Sequence, residues 1–147
     1  MTNNFQNIFA MKKLILIFTV LLLNSNIVNS QDYWEQINTP PDADIRSIAV
    51  NSLNHIYVGM DHNYLGGGIY HTIDMGNNWE YVGLENNIYD ILINDSDHIY
   101  TCSGWVFYSN NYAGSWDTIS EKIYPGTIFT NNELILVGVG GGDIQIR

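Results

Sequence analysis

Residues Thr72-Ile73-Asp74-Met75-Gly76-Asn77-Asn78-Trp79 follow the pattern Ser/Thr-x-Asp-x-Gly-x-x-Trp. A weaker copy follows at Ser109-Asn110-Asn111-Tyr112-Ala113-Gly114-Ser115-Trp116. Two copies about forty residues apart mark a repeat fold, and a period of that size suits propeller blades. Each residue of the pattern has a local physical task. Asp74 accepts hydrogen bonds from backbone N–H groups a few residues on and closes an Asx-type turn. Thr72 adds a hydroxyl to the same network. Gly76 permits a backbone angle that a Cβ resists. Trp79 opens the next strand and is expected to bury its ring between sheets. The second copy departs from the pattern. Asn111 replaces the Asp, Ala113 takes the Gly position, and Gly114 comes one residue late. An Asn still makes an Asx turn, so a turn of altered geometry is expected there.

The flanks of the two copies repeat as well. Ile48 to Gly59 aligns without a gap with Ile91 to Cys102, each reading as strand, polar turn and His-Ile-Tyr strand. A Gly-rich or Gly-Trp link follows in each. Then come a short aromatic strand (Gly68–His71 or Trp105–Tyr108), the turn pattern, and a strand opened by the Trp (Trp79–Val82 or Trp116–Ile119). Short strands rich in Ile, Val, Tyr and Trp, separated by Asn, Asp, Gly and Ser, predict an all-β chain. Four antiparallel strands per unit is the blade pattern of a propeller. Two partial units flank these blades. Trp34-Glu35-Gln36-Ile37 reads as a lone fourth strand. Gly126–Thr130 and Leu134–Gly138 read as the first two strands of a third blade, and Gly140–Arg147 as its Gly-rich link and third strand. Thr39 to Asp44 reads as a surface link.

Together these segments resemble the Asp-box, or bacterial neuraminidase repeat, β-propellers. That group includes sialidases, sortilin-type receptors, family-74 xyloglucan hydrolases and photosystem II assembly-factor-like proteins. The resemblance covers nearly all of residues 45–147. It implies Thr72, Asp74, Gly76, Trp79, Ser109, Asn111, Gly114 and Trp116 as structural Asp-box residues. It looks most like the repeats of large exported bacterial surface proteins. About three blades fit between residues 31 and 147, and closed propellers need four to eight. The expectation is therefore an incomplete propeller, either part of a longer ring or able to self-associate.

Residues 1–30 read as a signal peptide with Met11 as its expected start. Met11-Lys12-Lys13 is a basic n-region, and Leu14 to Leu23 is an apolar run too short to span a bilayer. Val28-Asn29-Ser30 offers a cleavage site ahead of Gln31, and no Cys follows the apolar run for a lipid anchor. The expected location is secreted or at the cell surface, without stable membrane insertion once the signal is removed. All fifteen acidic residues lie beyond residue 30, against Arg46, Lys122 and Arg147, a formal charge of −12. Such a surface repels nucleic acid. Hydrophobic residues make up 46% of the chain, enough to build a core. The lone Cys102 allows no intramolecular disulfide and is expected to be a buried packing residue.

No catalytic, cofactor or metal site is expected. A sialidase needs an arginine cluster to clamp a carboxylate, and residues 31–147 hold only Arg46 and Arg147. Glycoside hydrolysis otherwise needs two carboxylates across a cleft, and no pair is marked. Asp74 is the tempting carboxylate, but turn chemistry accounts for it. Asn94-Asp95-Ser96-Asp97 offers hard oxygen ligands but lacks the Gly and Glu of a calcium loop, so a polar turn is expected. His55 and His98 are repeat equivalents, and His62 and His71 have no ligand spacing with them. The leading function is an exported binding or scaffold module with a protein or glycan partner. One alternative is the N-terminal part of a carbohydrate-active enzyme whose catalytic residues lie beyond residue 147. The other is a glycan-binding module. Trp105 and Tyr112 fall outside the repeated core pattern and are the candidates for a surface binding role.

Overall fold

The computed structural model describes residues 34–40, 44–61, 67–131 and 133–147. The chain divides after Gln36, and every strand below lies in the unit Ile37–Arg147. The signal expected over residues 1–30 lies outside the described residues, as does much of the Gly-rich link before Gly67.

Eleven strands and no helix occur among the described residues. The first sheet contains β1 (Ile45–Val50), β2 (Ile56–Met60), β3 (Gly68–Thr72) and β4 (Glu80–Gly83). The second contains β5 (Asp90–Ile93), β6 (Ile99–Cys102), β7 (Val106–Ser109) and β8 (Asp117–Thr118). The third contains β9 (Pro125–Thr130), β10 (Ile135–Val139) and β11 (Asp143–Ile146). Strands that are consecutive in sequence pair antiparallel within each sheet, so each sheet is a simple meander. The fold is therefore all-β, with three antiparallel sheets of three or four strands. β5 packs against β1 on one side and β9 on the other, so the sheets neighbour one another through their first strands.

One difference from the sequence reading concerns Trp34–Ile37. These residues form no strand, and Trp34 is 92% exposed. A strand is held by a neighbour that takes its N–H and C=O groups, and the ladders of the described residues use β1 to β11 alone. Ile37 nevertheless touches the first turn: a Cβ built at Gly76 would lie 2.9 Å from Ile37 Cδ1.

An asparagine sets the first turn of each sheet. Asn51 Oδ1 accepts from the N–H groups of Leu53 and His55 at 3.0 and 2.9 Å. Asn94 Oδ1 accepts from Ser96 and His98 at 3.1 and 2.9 Å. Asn131 Oδ1 accepts from Glu133 and Leu134 at 3.2 and 2.9 Å. In the first two turns a left-handed residue, Asn54 or Asp97, completes the bend. Asn and Asp visit that region at lower cost than other side chains.

Side chains from two sheets fill each space between neighbours. Tyr57 and Ile69 of the first sheet meet Ile91, Ile99 and Ala113 of the second, with Ile88 from the connecting segment. Val106 of the second sheet meets Ile128 and Val137 of the third. Polar bonds add to this packing. Asp97 accepts from the backbone N–H of Ser52 at 2.8 Å and from its hydroxyl. Asp90 Oδ2 accepts from Thr127 Oγ1 at 2.9 Å and the Ile128 N–H at 3.0 Å.

Candidate functional site

The two turns marked by the sequence share one hydrogen-bond network. Thr72 Oγ1 donates to Asp74 Oδ1 at 2.8 Å and accepts from the Gly76 N–H at 3.0 Å. Asn78 closes the loop, its N–H on Asp74 Oδ1 at 2.8 Å and its amide on Oδ2 at 2.6 Å. In the second turn Ser109 Oγ donates to Asn111 Oδ1 at 2.8 Å and accepts from the Ala113 N–H at 3.1 Å. The Ser115 N–H donates to Asn111 Oδ1 at 3.0 Å. The expected change of geometry is thus corrected for the backbone, whose bonds repeat; only the side-chain bond reverses, Asn111 Nδ2 donating to Ser115 Oγ at 2.9 Å. Ala113 itself adopts the left-handed angle (φ 68°), as Gly76 does (φ 87°). Gly114 instead donates its N–H to the Asn111 carbonyl at 3.0 Å.

These bonds decide what Asp74 does. Both its oxygens are engaged, and the amide bond from Asn78 holds its carboxyl below the usual range. Such a carboxylate is a turn lock; a general acid needs a raised pKa. The two tryptophans follow the same logic. Trp79 Nε1 donates to the Asn38 carbonyl at 2.9 Å, and Trp116 Nε1 to the Val82 carbonyl at 2.8 Å. Trp116 packs against the cluster between the first two sheets. Both tryptophans are only half-buried, short of the burial expected for Trp79.

The remaining candidates separate in space. Asn94 and Asp97 serve the turn bonds described above. His98 Nδ1 lies 3.3 Å from the Tyr108 hydroxyl, and His71 Nε2 lies 3.1 Å from Glu80 Oε2. His62 is outside the described residues. No cluster of three or more His, Cys, Asp or Glu suited to a metal occurs among the described residues. Cys102 is fully buried, and burial beside the Asp90 carboxylate pushes its thiol up to about 12. Tyr112 stands on the second turn, half-exposed, with a left-handed φ of 57°.

Trp105 is different, because it lines a cleft of about 410 Å³. Three connecting segments build it. Glu85, Asn86, Asn87 and Tyr89 come from β4–β5, Ser103, Gly104 and Trp105 from β6–β7, and Lys122 and Tyr124 from β8–β9. Lys122 Nζ lies over both rings, 4.9 Å from the Trp105 centroid and 5.0 Å from that of Tyr124. Trp105 leans on Phe107, with 6.4 Å between ring centroids. The Gly104 carbonyl accepts from the N–H groups of Ile123 and Tyr124, both at 3.1 Å, and ties two of the segments together. Ser103 is buried, and its hydroxyl has no hydrogen-bond partner. The cleft thus combines aromatic faces, amides, one carboxylate and one ammonium.

Of this cleft the sequence analysis singled out Trp105 alone. A signal for two more residues lies in Ile88-Tyr89 and Ile123-Tyr124, the same dipeptide just before β5 and β9. Lys122 and Ser103 carry no such mark, since only folding brings their segments together.

Neither a family model nor a curated protein matches the chain.

Proposed function

We propose that the chain is an exported, non-catalytic binding module built from Asp-box β-propeller blades. The engagement of Asp74 carries the non-catalytic part of this reading. The carboxylate most open to a catalytic interpretation has both oxygens engaged, by Thr72 and Asn78. Side-by-side meanders that meet through β1, β5 and β9 support the propeller reading. The charge of the chain, −10 overall, favours a partner other than nucleic acid. The basic and apolar residues from Met11 to Leu23 support export.

The glycan-binding version of this reading is favoured over a purely structural scaffold by the cleft around Trp105. Clefts of several hundred Å³ with a few convergent polar groups are the usual form of ligand sites.

Expression in a bacterial host with periplasmic and culture-medium fractionation tests the reading. The expected product starts at Gln31, leaves the cytoplasm and hydrolyses no sialoside or xyloglucan. Retention of Met11-Lys12-Lys13 in a membrane fraction would refute the exported module. Hydrolysis abolished by Asp74→Asn in a normally folded protein would refute the non-catalytic one.

A further inference from the structure

We propose that the cleft formed by Tyr89, Trp105, Lys122 and Tyr124 is a saccharide-binding site. This inference rests on the reading of the chain as a binding module and names the ligand class.

Three observations converge on the cleft. First, two of its three aromatic residues are presented to solvent, while Trp105 is half-buried. Tyr89 is 46% and Tyr124 61% exposed. Tyr124 holds a left-handed φ of 50°, a conformation that bulky side chains rarely adopt. Second, the wall contains the buried Ser103 hydroxyl without a partner. Of the four such atoms among the described residues (Ser47 Oγ, Asn51 Nδ2, His71 Nδ1 and Ser103 Oγ), it is the one whose residue lines the cleft. Third, neither of the two ion pairs among the described residues uses Lys122. Its ammonium instead rests on the two ring faces, a contact that leaves its N–H groups for an acceptor.

A saccharide suits these features, stacking on Tyr89 or on a ring face that Lys122 leaves open. A pyranose has an apolar C–H face that stacks on an aromatic ring and an edge of hydroxyls that both donate and accept. Amide, carboxylate and ammonium groups beside the rings match that edge. A purely apolar ligand would leave Glu85, Asn86 and Lys122 desolvated without partners, which is costly. A nucleic acid would meet one cation in a strongly acidic protein. Lys122 also bears on the kind of sugar. With its ammonium already placed over the rings, it can meet either the hydroxyl of a neutral sugar or the carboxylate of an acidic one.

The test titrates the exported chain with a β-1,4-linked glucose hexamer and an α-1,4-linked galacturonate hexamer. Tryptophan fluorescence and calorimetry report binding. At least one hexamer is expected to bind and to shift the emission. Trp105→Ala and Tyr124→Ala should each weaken binding by about tenfold or more, the range of aromatic hot spots. The Tyr124 ring is exposed, so that variant keeps its fold even if Trp105→Ala does not; circular dichroism verifies this. Tyr112→Ala, outside the cleft, should bind like the parent chain. Lys122→Met should weaken the galacturonate hexamer more than the glucose hexamer, which separates an acidic from a neutral ligand. Failure of both hexamers to bind, or binding that survives Tyr124→Ala unchanged, overturns the site. Release of shortened hexamers would instead overturn the non-catalytic reading while leaving the site in place.

Discussion

The indole N–H of Trp116 donates to the backbone carbonyl of Val82 at 2.8 Å. This bond ties the second turn to the last strand of the preceding sheet, and Trp79 makes the same bond to Asn38 at 2.9 Å. One side chain therefore ends its own turn and fastens its sheet to what comes before.

Trp116→Phe should keep most of the ring packing and lose only this donor. The Val82 carbonyl then lacks its partner, and the expected loss is about 1–2 kcal/mol. Trp79→Phe should cost less, because its bond lies at the surface. Urea unfolding of the two variants checks the order, and a larger loss for Trp79→Phe would contradict the arrangement.

Gly76 and Ala113 occupy equivalent positions but should respond differently to exchange. Gly76→Ala places a Cβ in a left-handed residue at about 1–2 kcal/mol. It also pushes that Cβ to 2.9 Å from Ile37 Cδ1. Ala113→Gly relieves a similar strain but removes a buried methyl worth about 0.8 kcal/mol. The first variant should be clearly destabilised and the second close to the parent chain. Melting temperatures decide, and equal losses in both would show that the two turns differ.

Acid should loosen both the first turn and the junction of the first two sheets. Asn78 holds the Asp74 carboxyl below its ordinary value, and the Ser52 hydroxyl does so for Asp97. A folded pKa below the unfolded one adds stability above the unfolded value, about 4 for Asp. That stability is lost as the pH falls through the folded pKa. Melting temperature should drop as the pH falls below about 4. Asp74→Asn, which copies the natural Asn111, should flatten that drop. An unchanged acid profile in Asp74→Asn would remove Asp74 from the explanation.

Alkali should act through buried groups. Burial raises the Cys102 thiol and the Tyr57 hydroxyl, each to about 12. A folded pKa above the unfolded one gives stability below the unfolded value that is lost as pH rises toward the folded one. The native thiol should thus resist maleimide at pH 8 and react only on unfolding. Rapid labelling of the folded chain would place Cys102 at the surface instead.

The strands were legible because their signals are local. Alternating Ile, Val and Tyr between Asn- and Gly-rich turns marked the strands of all three sheets within a residue or two at most ends. The turn at Thr72–Trp79 was readable residue by residue, since its bonds join neighbours in sequence. Ala113 was misjudged for a related reason. A Cβ normally opposes a left-handed angle, but the hydroxyl of Ser109 and the amide of Asn111 fix the backbone there. Trp34–Ile37 has strand composition without a strand, because pairing needs a neighbour that composition does not supply.

Sequence by itself thus determined the class of the fold, the repeat, and the turn role of Asp74, all of which rest on contacts between close residues. Tertiary structure decided which surface residues meet. Tyr89, Trp105 and Lys122 stand in three separate connecting segments, and their cleft exists only because the meanders pack side by side. The same holds for the indole bonds, which join carbonyls 41 and 34 residues away. Local patterning cannot encode such distances, because they are set by how apolar side chains from two sheets fill the space between them.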